Sequence, residues 1–137
     1  DPAGLRALVL DKDEDLWHDD IVEIYMDADL DHQSYVHMGI NSLGVLADAW
    51  HPNGLDDQDE AWDADIDIGV RVGDAEWSLE LAVHFDQQRL PRPQSGQVWG
   101  FNFVRTYRGS EYTQWVRTFA TGGHSPDDFG FLLFQQE

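Results

Sequence analysis

Two neighbouring segments of this chain alternate apolar and polar residues with a period of two. Apolar side chains occupy every second position of Ile66–Val72, and Trp77–Phe85 repeats the pattern. This is the period of a strand with one buried face, and it differs from the 3.6-residue period of a helix. Gly73 and Asp74, between the two segments, are typical of a hairpin turn. The pattern therefore predicts two antiparallel strands, each with one apolar face.

The remaining apolar segments also have the length of strands. They are Leu5–Leu10, Ile21–Met26, Ser34–Ile40, Val45–Trp50, Val98–Arg105 and Phe129–Phe134. Turn residues join two of them at Asn41–Gly44, and a helical turn is expected only at Asp86–Leu90, before two prolines. Short strands separated by turn chemistry predict an all-β domain over residues 1–137, an antiparallel β-sandwich of jelly-roll-like type.

The composition excludes several kinds of partner. The chain has 27 acidic and 8 basic side chains and a formal net charge of -19, which repels nucleic acid and anionic membrane surfaces. No apolar run reaches the roughly 18–20 residues of a membrane span, so no membrane insertion is expected. The absence of cysteine excludes disulfides and thiolate chemistry. Most of the acids are Asp, and Lys12 is the single lysine. This indicates either adaptation to high salt or an acidic surface on long loops.

Clustered aspartates suggest calcium. Asp11–Asp15 and Asp27–Asp31 both read D-x-D-x-D, but neither continues as an EF-hand, which requires Gly at position six and Glu at position twelve. We expect a structural calcium in an irregular loop, with Asp27, Asp29 and Asp31 as ligands. The six histidines show no HxH or HExxH spacing of the kind that identifies a metal site.

Three aromatic segments carry the functional signal, each with a structural alternative. Trp17 lies in an acidic loop just before a strand, and sugars stack their C–H faces on indole while their hydroxyls donate to carboxylates; alternatively, Trp17 caps the core. Arg105 ends the aromatic face of Val98–Arg105, where it could contact a ligand or form an ion pair with an Asp. Trp115 precedes Gly122-Gly123-His124, whose glycines would let backbone approach a ligand; Trp115 could equally cover the sandwich.

The sequence gives little support to catalysis. Carboxylates are too abundant for a pair of them to be diagnostic, because a glycosidase needs two at a fixed separation across a cleft. The serines show no GxSxG elbow. A small acidic glycosidase therefore ranks below a binding domain.

Read in order, these segments resemble the family 9 carbohydrate-binding modules and the wider DOMON-like superfamily. The resemblance rests on W-x-D-D-x-V-E-I at Trp17–Ile24, on W-G-F-N-F-x-R at Trp99–Arg105 and on P-x-x-F-G at Pro126–Gly130. Tyr35 and Asn41–Gly44 lie between the first two strings. The resemblance covers nearly the whole chain.

The resemblance implies a non-catalytic β-sandwich that binds sugar chains such as xylan or cellulose, often at their ends. Such modules are attached to secreted or cell-surface carbohydrate-active enzymes, and structural calcium is common among them. Trp17 matches the first sugar platform and Glu23 a hydroxyl-binding carboxylate, while Arg105 matches by motif alone. The second platform is expected where Gly122-Gly123-His124 stands, so Trp115 or His124 would have to replace it.

Family members also have strands before the segment that matches Leu5–Leu10. We therefore expect the family's N-terminal strands to be missing and the exposed edge to be covered by a neighbouring segment, a second protomer or a different topology. A homodimer or a strand exchange follows from this expectation. The alternative function is an interaction domain of a larger secreted or outer-membrane protein, which predicts a buried Trp17 with no groove beside it.

Overall fold

The computed structural model describes residues 4–119 and 122–135, and the architecture of this part is nearly all β. Its strands are β1 (Ile21–Asp27), β2 (Tyr35–Asn41), β3 (Leu46–His51), β4 (Ile66–Val72), β5 (Trp77–Val83), β6 (Val98–Tyr107), β7 (Glu111–Gln114) and β8 (Gly130–Leu133).

The strands form two antiparallel sheets. The larger sheet has six strands in the order β3-β2-β1-β6-β7, with β8 also paired to β6, and the smaller sheet is the β4-β5 hairpin. The hairpin between β2 and β3 turns as predicted, because Gly44 adopts a φ of 82° and its N–H donates to the Asn41 carbonyl at 2.9 Å. The predicted antiparallel β-sandwich is confirmed.

The core lies between the sheets. We call the face of the large sheet that looks toward β4-β5 the inner face, and the opposite face the outer face. Apolar side chains of the inner face pack against the apolar face of the hairpin, as the alternation predicts. The inner-face members include Ile24, Met26, Val36, Met38, Ile40 and Trp99, and the hairpin members are Ile66, Ile68, Leu79, Leu81 and Val83.

The predicted strand at Leu5–Leu10 is wrong. This segment has no ladder partner, and two buried carboxylates hold its backbone instead. Asp20 accepts the Arg6 N–H at 2.6 Å, and Asp19 accepts the N–H groups of Leu8 and Val9 at 2.9–3.1 Å. Side-chain oxygens thus replace the neighbouring strand as acceptors for this backbone.

The predicted helical turn at Asp86–Leu90 is also wrong. Asp86 and Arg89 adopt φ angles of 74° and 73°, which lie outside the right-handed helical region. A 3₁₀ turn forms at Pro126–Asp128 instead. Within the described part of the chain, no helix is both long enough and apolar enough to cross a membrane.

Candidate functional site

The outer face of the large sheet is polar but hardly accessible to solvent. The strand register places Tyr25 of β1 beside His37 of β2, and Tyr35 of β2 beside His51 of β3. Glu23, His37 and His51 are only 6%, 4% and 1% exposed. Buried polar side chains of this kind need partners.

Glu23 is the hydrogen-bond centre of this face. Its Oε2 accepts from the Tyr25 hydroxyl at 2.8 Å and lies 3.1 Å from His37 Nε2. Its Oε1 accepts from the Thr106 hydroxyl at 2.7 Å. Burial alone raises the pKa of the Glu23 carboxyl, but the hydrogen bonds from His37, Thr106 and Tyr25 outweigh burial and hold that pKa below its ordinary value. Glu23 is therefore an ionised acceptor at neutral pH.

A cleft of about 580 Å³ opens above Glu23. Trp17 forms part of its wall; its indole is 39% exposed and stacks on the His37 ring with centroids 5.1 Å apart. His124 and Gly122 contribute from the segment before β8. Carboxylates also line the cleft; besides Glu23 they are Asp13, Glu14, Asp15, Asp48 and Glu60. No Lys or Arg among the described residues lines it. The cleft is thus an aromatic and carboxylate-rich pocket.

The structure brings together three of the five predicted sugar-binding residues: Trp17, Glu23 and His124. Arg105 does not join them, because it pairs in register with Val22 while Glu23 pairs with Val104. Adjacent residues of a strand project to opposite faces, so Arg105 lies on the inner face, where it is 4.0 Å from Glu111.

Trp115 also lies away from the cleft. Its indole stacks on Phe103 with centroids 6.3 Å apart and meets Phe101 edge-on. These partners belong to the inner face, at the end where Phe103 and Trp115 remain 42% and 51% exposed. His124, and not Trp115, therefore lines the cleft together with Trp17.

Gly123 makes the close approach that the sequence suggested, but to a side chain of this chain and not to a ligand. A Cβ at this position would lie 2.3 Å from Cε2 of Tyr25. The loop that carries His124 thus rests directly on the buried Tyr25 ring, and the absence of a side chain at Gly123 fixes that wall of the cleft.

A cluster of three histidines lies beside the cleft and was missed by sequence reasoning. His37, His51 and His124 each offer a ring nitrogen, and these nitrogens lie within 4.8 Å of one another. The residues come from β2, β3 and the segment before β8. Burial, followed by the neighbouring imidazoles, lowers the pKa of His51 to about 4 and that of His124 to about 3. Both imidazoles are neutral at pH 7.

The carboxylates of Asp27, Asp29 and Asp31 converge to within 4.8 Å of one another, as the calcium prediction requires. Asp27 is fully buried, and burial, supplemented by Asp29, raises the pKa of its carboxyl. A second group, Asp13, Asp48 and Asp63, contains the ammonium of Lys12, which lies 3.0 Å from Asp13 and 3.1 Å from Asp48. Among the described residues, no ion pair joins the Asp27 group to a basic side chain. Backbone N–H groups donate to both Asp27 and Asp31, and carboxylate oxygens are the ligands that a hard cation prefers.

Comparison with known proteins shows which solved structures share this architecture. Neither a scan against protein-family models nor a search of curated proteins gives a match. Among solved structures, a provisionally assigned carbohydrate-binding protein from Bacteroides uniformis ATCC 8492 superposes with a TM-score of 0.73 at 16% identity, over 96% of this chain and 68% of the other.

Two structures of a family 9 carbohydrate-binding module from Caldicellulosiruptor kristjanssonii, one in complex with glucose and one with cellotriose, superpose with TM-scores of 0.67 at 14% identity. They match over 97% of this chain and over 68% and 66% of their own length. The chain thus spans about two thirds of each of these structures. By its architecture, it has the fold of the family 9 carbohydrate-binding modules.

Proposed function

We propose that the cleft beside Trp17 binds a carbohydrate without chemically altering it. One observation carries this proposal: a partly exposed indole and an ionised carboxylate, Glu23, line the same cleft. The alternative of a purely structural interaction domain predicted a buried Trp17 with no groove beside it, and the cleft argues against it. The structural neighbours in complex with glucose and cellotriose support the same assignment.

The two residues supply complementary contacts. The exposed side of the Trp17 indole offers a flat apolar surface for the C–H face of a pyranose. Glu23 Oε1 accepts one hydrogen bond, from Thr106, and a carboxylate oxygen has two lone-pair sites. One site therefore remains for a sugar hydroxyl. His124 also lines the cleft and is a second ring available to contact the sugar.

The protonation state of Glu23 does not suit this residue to the general-acid role in a glycosidase. A glycosidase needs a carboxylic acid with a raised pKa to protonate the leaving oxygen. The pKa of Glu23 is lowered by its hydrogen-bond donors, so this carboxyl is a poor proton donor at neutral pH. We therefore propose a binding role, and from the family resemblance we propose that the domain is a module of a secreted or cell-surface carbohydrate-active enzyme.

The acidic lining of the cleft restricts the sugar class. Six carboxylates, counting Glu23, line the cleft, and the single ammonium of Lys12 pairs with two of them, Asp13 and Asp48, so the lining keeps a negative charge. Such a potential disfavours uronic acids and tolerates neutral sugars. Neutral β-linked chains of the xylan or cellulose type, or their ends, fit this charge pattern.

Isothermal titration calorimetry with glucose, cellotriose, xylotriose and soluble xylan tests the proposal. We expect saturable heat with at least one neutral sugar and a loss of about tenfold or more in affinity for Trp17→Ala, since about 1.4 kcal/mol of lost contact gives tenfold. Trp115→Ala is the matched control, because it removes an exposed indole from the inner face. No heat with any sugar, or equal losses in the two variants, would overturn the proposal.

We further propose that Asp27, Asp29 and Asp31 hold a structural calcium ion. The support is the convergence of three carboxylates, one of them buried, without a basic partner among the described residues. Calcium should raise the melting temperature of the wild type after chelator treatment. Calcium should raise the melting temperature of Asp29→Asn much less. The control Asp67→Asn, at an exposed position of β4, should respond to calcium as the wild type does. A melting curve that is indifferent to calcium would contradict this proposal.

We also propose that the exposed end of the inner face is a contact between two copies of this chain. Phe103 and Trp115 form an apolar surface there, and contiguous exposed aromatics mark interaction sites. Sedimentation equilibrium should detect a dimer that Trp115→Glu dissociates. A wild type that stays monomeric at high micromolar concentration would refute this contact.

A further inference from the structure

We infer that His37, His51 and His124 form a binding site for a divalent transition-metal ion of the Zn²⁺ type, beside the carbohydrate cleft. One ring nitrogen of each lies within 4.8 Å of the others. Zn²⁺ bound to imidazole nitrogens at about 2.1 Å holds them about 3.4 Å apart. Closing the group around an ion therefore requires ring movements of about 1 Å or less.

The hydrogen bonds around the cluster resemble those that orient metal ligands. His37 Nε2 lies 3.1 Å from a Glu23 carboxylate oxygen, and His51 Nδ1 lies 3.2 Å from the Gly54 carbonyl. His124 Nδ1 lies 2.8 Å from the Tyr35 hydroxyl. Metal-bound histidines commonly donate their second N–H to a carboxylate, a carbonyl or another oxygen, which fixes the tautomer. Each imidazole here has one ring nitrogen in contact with such an oxygen, which leaves its second nitrogen as the candidate ligand atom.

His51 supplies an independent observation. Its ring is 1% exposed, yet Nε2 is buried without a hydrogen-bond partner among the described residues. A buried polar atom without a partner is unfavourable and rare in folded proteins. A metal ion bound between the three rings would provide the missing partner for this nitrogen.

The chemistry of the three groups selects the class of ion. Neutral imidazole is the form that binds metal, and two of the three rings, His37 and His51, are buried. Imidazole suits Zn²⁺, Co²⁺, Ni²⁺ and Cu²⁺, whereas Ca²⁺ and Mg²⁺ prefer oxygen ligands. Three protein ligands leave a fourth coordination position for solvent. The site thus differs from the aspartate group proposed for calcium.

Cobalt and zinc titrations of the chelator-treated, tag-free protein test the site. We expect Co²⁺ to produce a saturable visible absorption at one ion per chain, and Zn²⁺ to displace it. His51→Ala should weaken Co²⁺ binding by at least 100-fold, and His84→Ala, at an exposed histidine beside Asp67, should leave binding unchanged. His51 does not line the cleft, so this variant separates metal binding from sugar binding. Absence of saturable absorption in the wild type, or equal affinity in the two variants, would overturn the inference.

Tyr35→Phe provides a second test if His51→Ala fails to fold, a failure that circular dichroism would reveal. It removes only the hydroxyl beside His124, and loss of an outer-shell partner typically weakens metal binding 10–100-fold. Unchanged Co²⁺ affinity in Tyr35→Phe, measured with the wild type in parallel, would count against the proposed arrangement. The wild-type titration decides the existence of the site whatever the variants do.

Discussion

Gly123 is the point at which the loop bearing His124 comes closest to the large sheet, and an alanine there should push the loop and the sheet apart. The added Cβ would lie 2.3 Å from Cε2 and 2.6 Å from Cζ of Tyr25. Carbon atoms in contact are separated by about 3.5–4.0 Å, so the two must move apart by more than about 1 Å. The clash is with one edge of a rigid ring and not with the end of a flexible side chain.

Tyr25 has no room to move away. It is fully buried, its ring stacks on His37 with centroids 4.4 Å apart, and its hydroxyl donates to Glu23 at 2.8 Å. Overpacking of this kind costs about 1–3 kcal/mol, and the rigidity of Tyr25 places Gly123→Ala near the upper end. A loss of about 3 kcal/mol lowers the melting temperature of a domain of this size by about 10 °C.

Urea denaturation and thermal melting measure the effect. Gly69→Ala is the matched control, because a Cβ at that exposed position of β4 meets nothing closer than 3.9 Å; we expect it to be neutral or slightly stabilising. Displacement of the wall should also weaken binding of whichever sugar the wild type binds. If Gly123→Ala and Gly69→Ala have the same melting temperature, the packing of this loop on Tyr25 is not as described.

Three further predictions concern charge. Glu23→Gln should lower the free energy of unfolding by about 2–3 kcal/mol, because one amide oxygen replaces an ionised acceptor of three hydrogen bonds. The control Glu80→Gln, on the exposed side of β5, should change the free energy of unfolding by less than about 0.5 kcal/mol. Denaturation curves of the two variants that overlap would contradict the role given to Glu23. Oligosaccharides containing uronic acid should bind at least tenfold more weakly than their neutral counterparts at low salt, and the gap should narrow at molar salt; equal affinities at low salt would be incompatible with an acidic cleft. The melting temperature should rise from low to molar salt, since screening reduces the self-repulsion of a chain with a net charge of -19; a flat dependence would remove salt adaptation as the reason for the acidic surface.

Alternation predicted the strands that have one buried and one exposed face, and short apolar segments between turn residues predicted β1, β2 and β3, which are buried on both faces. β4 and β5 alternate strictly and form the predicted hairpin, because the period of the side chains directly reports the period of burial. Leu5–Leu10 was misjudged because its backbone bonds to Asp19 and Asp20, which no local pattern predicts. β7 (Glu111–Gln114) is absent from the predicted strands, since it is short and mostly exposed.

The binding residues were predictable only in part. Trp17 and Glu23 share a short stretch of chain, and the structure brings both to the cleft. Arg105 and Trp115 were assigned from an aromatic pattern on β6 and the loop after it. The pattern does not say which face of the sheet receives each residue, because that depends on the register between β1 and β6.

The sequence by itself determined the fold class and the acidic character of this protein, because alternation, turn residues and charge are local or additive properties of the chain. It also located one wall of the cleft, at Trp17. Only the tertiary structure decided that His124 lines the cleft and that Glu23 collects three donors. It alone joined His37, His51 and His124, which are 14 to 87 residues apart in the sequence. Such contacts depend on strand order and register, and these are set by the packing of the whole sheet.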